Sequence, residues 1–141
     1  MISVRSVRPV DGEALEELRQ EARAEAAGKR GGPELLADVA HTADDAPDVT
    51  IVALIGQASV GVASARARSG ALNVTELFVT PAARGVGVGA ALLSSLVDRA
   101  GDLECSRVEA VALPGDRDTK NFFESHGLTA RRIIVGRTIE P

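Results

Sequence analysis

The chain has 141 residues, 45% of them apolar, 26% charged and 2% aromatic, with a formal charge of −4 at pH 7; that length suits a single domain spanning residues 1–141, able to bury most of its apolar surface without staples. The acidic balance, the lack of a long basic run, and three Phe with no Trp or Tyr argue against a nucleic-acid partner, because phosphate contacts and stacking platforms are both scarce. No apolar run approaches a membrane span of ~20 residues, and Met1 to Arg5 lacks the apolar core of a signal peptide, so the expectation is a cytoplasmic, bacterial-type protein.

Ile2, Val4 and Val7 alternate with polar residues and predict a first strand that Pro9 closes. Asp11 is the expected N-cap of a helix from Gly12 to Ala27, marked by Ala14, Leu15, Leu18, Ala22 and Ala26 and ended by Gly28. Its Glu13, Glu16, Glu17, Glu21 and Glu25 alternate with Arg19 and Arg23, which predicts a solvated face with i,i+4 pairs. Lys29 to Gly32 reads as a linker, and Pro33 as the start of a short helix with Leu35, Leu36 and Val39. His41 has no second histidine or carboxylate at metal-ligand spacing, so no metal is expected. The acidic run Asp44-Asp45-Ala46-Pro47-Asp48 has the composition of a solvated loop.

Val49 to Leu54 is apolar and β-branched, Gly56-Gln57 turns the chain, and Val60 to Ala63 continue as the next strand. Arg66 and Arg68 fit an exposed strand face ahead of a turn at Ser69-Gly70. Asn73 to Val79 is a strand ended by Pro81. After Gly89 the apolar period changes: Leu92, Leu93, Leu96 and Val97 mark an amphipathic helix that Gly101 stops. The single cysteine, Cys105, has no evident base beside it and reads as a structural or surface thiol. Arg107 to Leu113 predicts a strand, Asp116 to Ser125 a helix ended by Gly127, and Thr129 to Ile139 a last strand. The order β, α, α, β, β, β, α, β, α, β gives an α/β fold, a mixed sheet with helices on both faces.

Between the third of the central strands and its helix lies Arg84-Gly85-Val86-Gly87-Val88-Gly89-Ala90. Alternate glycines free the backbone of Cβ atoms where a ligand must approach, and the first turn of a helix offers N–H groups and a positive dipole end to a phosphate. Arg84 adds a fixed charge. A Walker loop is excluded, because no Gly-Lys-Ser/Thr follows. Gly85-x-Gly87-x-x-Ala90 meets the dinucleotide fingerprint only literally: Thr80 to Arg84 separate it from the strand end, and too few residues remain for further βα units.

The series Leu77-Phe78-Val79-Thr80-Pro81-Ala82-Ala83-Arg84-Gly85-Val86-Gly87-Val88-Gly89 resembles the acyl-CoA-binding motif of the GNAT superfamily of N-acyltransferases, whose loop reads Arg/Gln-x-x-Gly-x-Gly/Ala. The resemblance implies the GNAT-like fold, with a central, mixed, mostly antiparallel sheet, over nearly all of the chain. It also implies acetyl-CoA as co-substrate, its diphosphate on the N–H groups from Val86 to Ala90 beside Arg84 and its pantetheine arm along Leu77, Phe78 and Val79 like an added strand. The Val79 N–H would then meet the thioester oxygen. The acceptor would be a small-molecule or peptide primary amine, attacking directly in a ternary complex. Glu76 is the candidate base, since many members carry an acid there; a structural ion pair is its rival role.

Near the C-terminus, Asp116, Thr119, Phe122, Phe123, Glu124, Gly127 and Leu128 keep the spacing of a second GNAT motif, Asn-x-x-Ala-x-x-Phe-Tyr-Glu-x-x-Gly-Phe. Phe123 stands where many relatives place the tyrosine that protonates the leaving thiolate, and the chain contains no tyrosine. Ser125, His126 and water are the substitutes on offer, and a non-catalytic acyl-CoA-binding domain is the alternative to an enzyme. Ile133, Ile134 and Val135 fit a final strand that either completes the internal sheet or packs across a homodimer, an arrangement common in the superfamily.

Overall fold

The alternation of buried and exposed residues resolves, in a computed structural model that describes residues 1–29, 32–33, 46–113 and 115–140, into one sheet with helices on both faces. The strands are β1 (Ile2–Ser6), β2 (Val49–Ile55), β3 (Ala58–Arg68), β4 (Ala71–Val79) and β5 (Arg107–Glu109), and they lie in chain order across the sheet. Every neighbouring pair is antiparallel except β4 and β5, which are parallel. The helices are α1 (Gly12–Ala27), α2 (Val88–Asp102) and α3 (Arg117–Ser125). The short helix expected after Pro33, with His41, Asp44 and Asp45, falls outside the described residues.

The two faces of the sheet carry separate cores, as the period-2 geometry of a strand requires. Leu15 and Leu18 of α1 pack on Val52, Val62 and Phe78. On the other face, Leu92, Leu96 and Ala100 of α2 pack on Ile51, Ala63, Ala65 and Leu72. Gly61 lets α2 come close, since a Cβ there would meet Leu92 Cδ1 and the Phe78 carbonyl at 3.1 Å and Val88 Cγ1 at 3.2 Å. The start of α2 is thereby fixed over the end of β4. Ser69 and Gly70 both have positive φ, 52° and 78°, as a two-residue hairpin between twisted strands demands.

Several expectations are corrected. Gly101 does not stop α2; the helix runs through it to Asp102, and Val97 is 49% exposed rather than packed on the sheet. β5 ends at Glu109 instead of Leu113. Thr129 to Ile139 forms no strand, and Ile133, Ile134, Val135 and Ile139 are exposed. A strand exists only where a ladder partner exists, and the three residues of β5 offer too short an edge to order another strand beside them.

Asp11 occupies the N-cap position of α1, yet its side chain makes no cap hydrogen bond. It accepts instead from Arg5 Nη1 and Nη2, at 2.7 and 2.9 Å, and from the Arg8 amide at 2.7 Å. These bonds, that of Arg5 foremost, hold the carboxyl at about 2, below the ordinary 3.8. The unfolded chain therefore takes up this proton first, so the stabilisation is complete above the unfolded value and is lost as the pH falls through the folded one. Thermal melts between about pH 4 and pH 2 are expected to show a shallower loss of melting temperature in Asp11→Asn than in the wild type; an unchanged slope would assign the acid sensitivity to other groups.

Candidate active site

The pairing of β4 with β5 ends at Asn73 and Glu109. Beyond that point the two chains no longer share a ladder, and both line a cleft of about 1720 Å³ that also takes in the loop from Arg84 to Ala90, the C-terminal half of α1 and one face of α3. A bulge helps to set the direction of β4. Ser64 faces Glu76 while Ala65 faces Val74, which leaves Thr75 as the extra residue.

Hydrogen-bond parity decides which backbone groups of β4 are free. The Thr80 amide donates to the Val60 carbonyl at 2.9 Å, so Val60 and Thr80 form a hydrogen-bonded pair. In an antiparallel ladder such pairs alternate with non-bonded ones. Gly61 with Val79 and Ala63 with Leu77 are therefore the non-bonded pairs in the register, and the amides and carbonyls of Leu77 and Val79 point away from β3, toward the cleft. Phe78 is different: its backbone is spent on Val62, and its ring is 8% exposed among Leu15, Leu18 and Val62. It supports the edge and offers a ring face, not a backbone group.

The turn at the head of α2 has the shape its glycines foretold. Gly85 and Gly87 take φ of 82° and 96°, left-handed values that L side chains rarely adopt. The Gly87 carbonyl accepts from Ala91 at 3.0 Å, so the amides of Val88, Gly89 and Ala90 are those a helix start leaves without internal partners. Gly89 is needed for packing: a Cβ there would lie 3.1 Å from Phe122 Cε1. The Val86 side chain is 61% exposed and outside the cleft lining, so only its amide is suited to a ligand.

Arg84 lies back along the cleft. Its Nε donates to the Val79 carbonyl at 2.9 Å, its Nη2 pairs with Glu25 Oε2 at 2.6 Å, and its guanidinium sits 5.5 Å from the Phe78 ring centre. The ion pairs continue from there. Lys29 Nζ meets Glu25 at 3.3 Å and Asp116 at 2.7 Å, and Asp116 caps α3 through the Thr119 amide. Burial alone would push Glu25 and Asp116 up, but hydrogen bonds from Arg84 and Lys29 outweigh it, and both carboxyls lie below their ordinary values.

Glu76 stands between β4 and α1. Arg19 Nη2 and Ser64 Oγ each donate to its Oε1 at 2.7 Å, and Arg19 Nε spans both oxygens at 3.1 and 3.2 Å. Thr50 Oγ1 lies 3.2 Å from Ser64 Oγ and extends the chain of polar contacts. Most of the donors crowd Oε1, which leaves Oε2 with accepting capacity to spare. The ion-pair role is thus observed, with Oε2 engaged only by Arg19 Nε at 3.2 Å.

The comparisons with known proteins bear on this arrangement. The model of the acetyltransferase (GNAT) family matches residues 13–128. The chain belongs to the GNAT acetyltransferase family. No curated protein matches it in sequence. Among solved structures it is similar to AAC(6')-Iy bound to the bisubstrate analogue CoA-S-monomethyl-acetylneamine, with 17% identity, 99% of each chain covered and a TM-score of 0.73. It is likewise similar to the PaiA N-acetyltransferase of Thermoplasma acidophilum in complex with coenzyme A, with 14% identity, 90% of this chain and 89% of that one covered, and a TM-score of 0.71. A third is glucosamine-6-phosphate N-acetyltransferase of Arabidopsis thaliana, with 16% identity, 99% of each chain covered and a TM-score of 0.69.

As a GNAT chain, the protein brings Glu76, Leu77, Val79, Arg84, Gly85 and Gly87 to Ala90 to one cleft. Arg19 and Glu25 were expected on a solvated helix face and Lys29 in a linker, so none of the three was expected at the site. Their partners are on β4, in the motif loop and at the start of α3, and local spacing does not reveal contacts across the fold. Arg66 was read as exposed, yet it lines the cleft. Ser64 is the residue that carried a signal: a hydroxyl 3% exposed in an apolar strand needs a partner, and its partners are Glu76 and Thr50. Among the described residues, no three His, Cys, Asp or Glu side chains are grouped as a metal site would need, and no helix is long and apolar enough to cross a membrane.

Proposed function

We propose that the protein is an N-acetyltransferase that moves an acetyl group from acetyl-CoA to the primary amine of a small molecule or peptide, by direct attack in a ternary complex. The observation that carries this reading is the joint presentation, on one cleft, of the β4 edge at Leu77 and Val79, which no strand pairs and where only the Val79 carbonyl is engaged, by Arg84, and of the α2 amides released by the glycine turn. An added-strand ligand needs the first and a diphosphate the second. CoA is present in complexes of PaiA and of AAC(6')-Iy, the latter an aminoglycoside N-acetyltransferase also seen with the bisubstrate analogue CoA-S-monomethyl-acetylneamine, which supports a CoA donor and a small amine acceptor.

In this mechanism the chain does three things. The amides of Gly87 to Ala90 and the Arg84 guanidinium hold the diphosphate, with Arg84 exchanging its bond to Glu25 for one to phosphate. The Val79 N–H stabilises negative charge developing on the thioester oxygen, where a preorganised donor is worth most. Glu76, through Oε2, removes the proton of the attacking amine directly or through one water. The nitrogen bonds to the carbonyl carbon, the carbon–sulfur bond breaks, and an amide and a thiol leave. A thiol-release assay with acetyl-CoA against an amine panel tests the reading; turnover with one class of amine is expected. Binding of acetyl-CoA with no release above the enzyme-free rate for any amine would favour the acyl-CoA-sensing alternative.

A further inference from the structure

The charges that line the cleft are distributed unevenly. Toward the glycine turn and the start of α3, Lys29, Arg84 and Arg117 stand against Glu25, Asp116 and Asp118, three against three, whereas around Glu76 the described lining residues set Arg19, Arg23 and Arg66 against that one carboxylate. An excess of fixed positive charge beside the proposed base suits an anion. The acetyl transfer itself leaves that excess unused.

The three guanidinium groups lie on one floor and the wall above it. Val62 packs toward α1 while Ala63 and Ala65 belong to the core on the other face, so Ser64 and Arg66 share the α1 face of β3. Ser64 Oγ donates to Glu76 at 2.7 Å, and Arg66, two residues on and opposite Asn73 in the register, follows about 7 Å further along the same strip. Arg19 and Arg23 are four residues apart on α1, hence neighbours on one helix face. Arg23 meets Glu16 at 3.1 Å in a pair more than half exposed, with side-chain accessibilities of 54% and 57%, and such a contact is weak enough for a ligand's anion to replace.

Arg19 ties this charge to the base. Its bonds to Glu76 run from Nε and Nη2, the side edge of the guanidinium. The planar group has five N–H donors and a second edge, made of Nη1 and the other Nη2 hydrogen, and the side chain is 33% accessible and lines the cleft. An anion on that second edge sits within a few bond lengths of the nitrogen that gives its proton to Glu76.

Resting on the acetyl-transfer reading above, we propose that the acceptor is an anionic amine: its nitrogen lies at Glu76, and a carboxylate or phosphate a few bonds away is held by the second edge of Arg19, with Arg23 and Arg66 completing the anion site. Amino acids and amino-phosphates have this chemistry. Polycationic amines bring like charge to it and are disfavoured.

Thiol release from acetyl-CoA tests this with matched acceptors: amino acids against their amides, amino-phosphates against the corresponding amino-alcohols, and spermidine as a polycation. At least one anionic amine is expected to exceed its neutral partner ~10-fold or more in kcat/KM, the scale of one charge-assisted hydrogen bond, and the carboxylate and phosphate arms identify the anion. Arg23→Met and Arg66→Met are each expected to lower that ratio ~10-fold, chiefly through KM, with calorimetric binding of acetyl-CoA showing that the variants are folded. Neutral or cationic amines turned over as fast as every anionic partner would overturn the inference, and so would a ratio that both variants leave within about twofold of the wild type. No release with any amine, or no binding of acetyl-CoA by the wild type, would defeat the acetyl-transfer reading itself and this inference with it.

Discussion

Gly87→Val is expected to weaken acetyl-CoA binding on the order of 100-fold while leaving the chain folded. Gly87 has φ 96°, and an added Cβ would meet nothing closer than Ile2 Cδ1 at 3.9 Å. The packing thus tolerates the side chain and the backbone does not: a β-branched residue at this dihedral is strained by about 1–3 kcal/mol. The turn relieves that strain by rotating away, and the amides of Val88 to Ala90 rotate with it. Losing one or two charge-assisted hydrogen bonds of about 1.5–3 kcal/mol each gives the stated change in Kd. Gly101→Ala is the control, since Gly101 is helical with no atom within 4 Å of an added Cβ; it should bind normally and melt slightly higher. Calorimetric titration of both variants checks the pair, and a Gly87→Val affinity within about threefold of the wild type would remove the turn from the binding site.

Glu76→Gln is expected to lower kcat by ~10²-fold or more with the amine acceptor, at unchanged affinity for acetyl-CoA. Glutamine keeps an oxygen that can accept from Arg19 and Ser64, so the geometry survives while the proton acceptor is lost. The cost in stability should be small, because both partners are partly exposed, with side-chain accessibilities of 33% and 26%, and such pairs contribute about 1 kcal/mol or less. Initial rates over a range of acetyl-CoA concentrations separate the two effects. An unchanged kcat with an amine that the wild type acetylates would leave Glu76 as a strut between β4 and α1.

What the residues disclosed followed the range of the forces involved. The bounds of α1, Gly12 to Ala27, were legible because heptad-like apolar spacing and Gly28 act within a few residues of each other. The motif turn was legible because left-handed backbone at Gly85 and Gly87 is a property of glycine itself. The lengths of β5 and of the expected last strand were not, since a β-branched run such as Ile133-Ile134-Val135 becomes a strand only beside a partner edge, and β5 pairs with β4 over only Arg107 to Glu109. The site divided in the same way. Backbone donors and Glu76 could be read from one stretch, whereas the bonds from Arg19 to Glu76 and from Arg84 to Glu25 join residues 57 and 59 positions apart. Gly101 failed as a stop signal because α2 is held by Leu92, Leu96 and Ala100 against the sheet, and packing of that extent outweighs a glycine penalty of about 1 kcal/mol.

A crystal structure of the protein with acetyl-CoA tests the central claim most directly. Diphosphate oxygens are expected within about 3.2 Å of amide nitrogens between Gly87 and Ala90, with the pantetheine arm bonded to Leu77 and Val79 and the thioester oxygen facing the Val79 N–H. Coenzyme bound elsewhere, with those amides turned to water and the β4 edge unpaired, would contradict it.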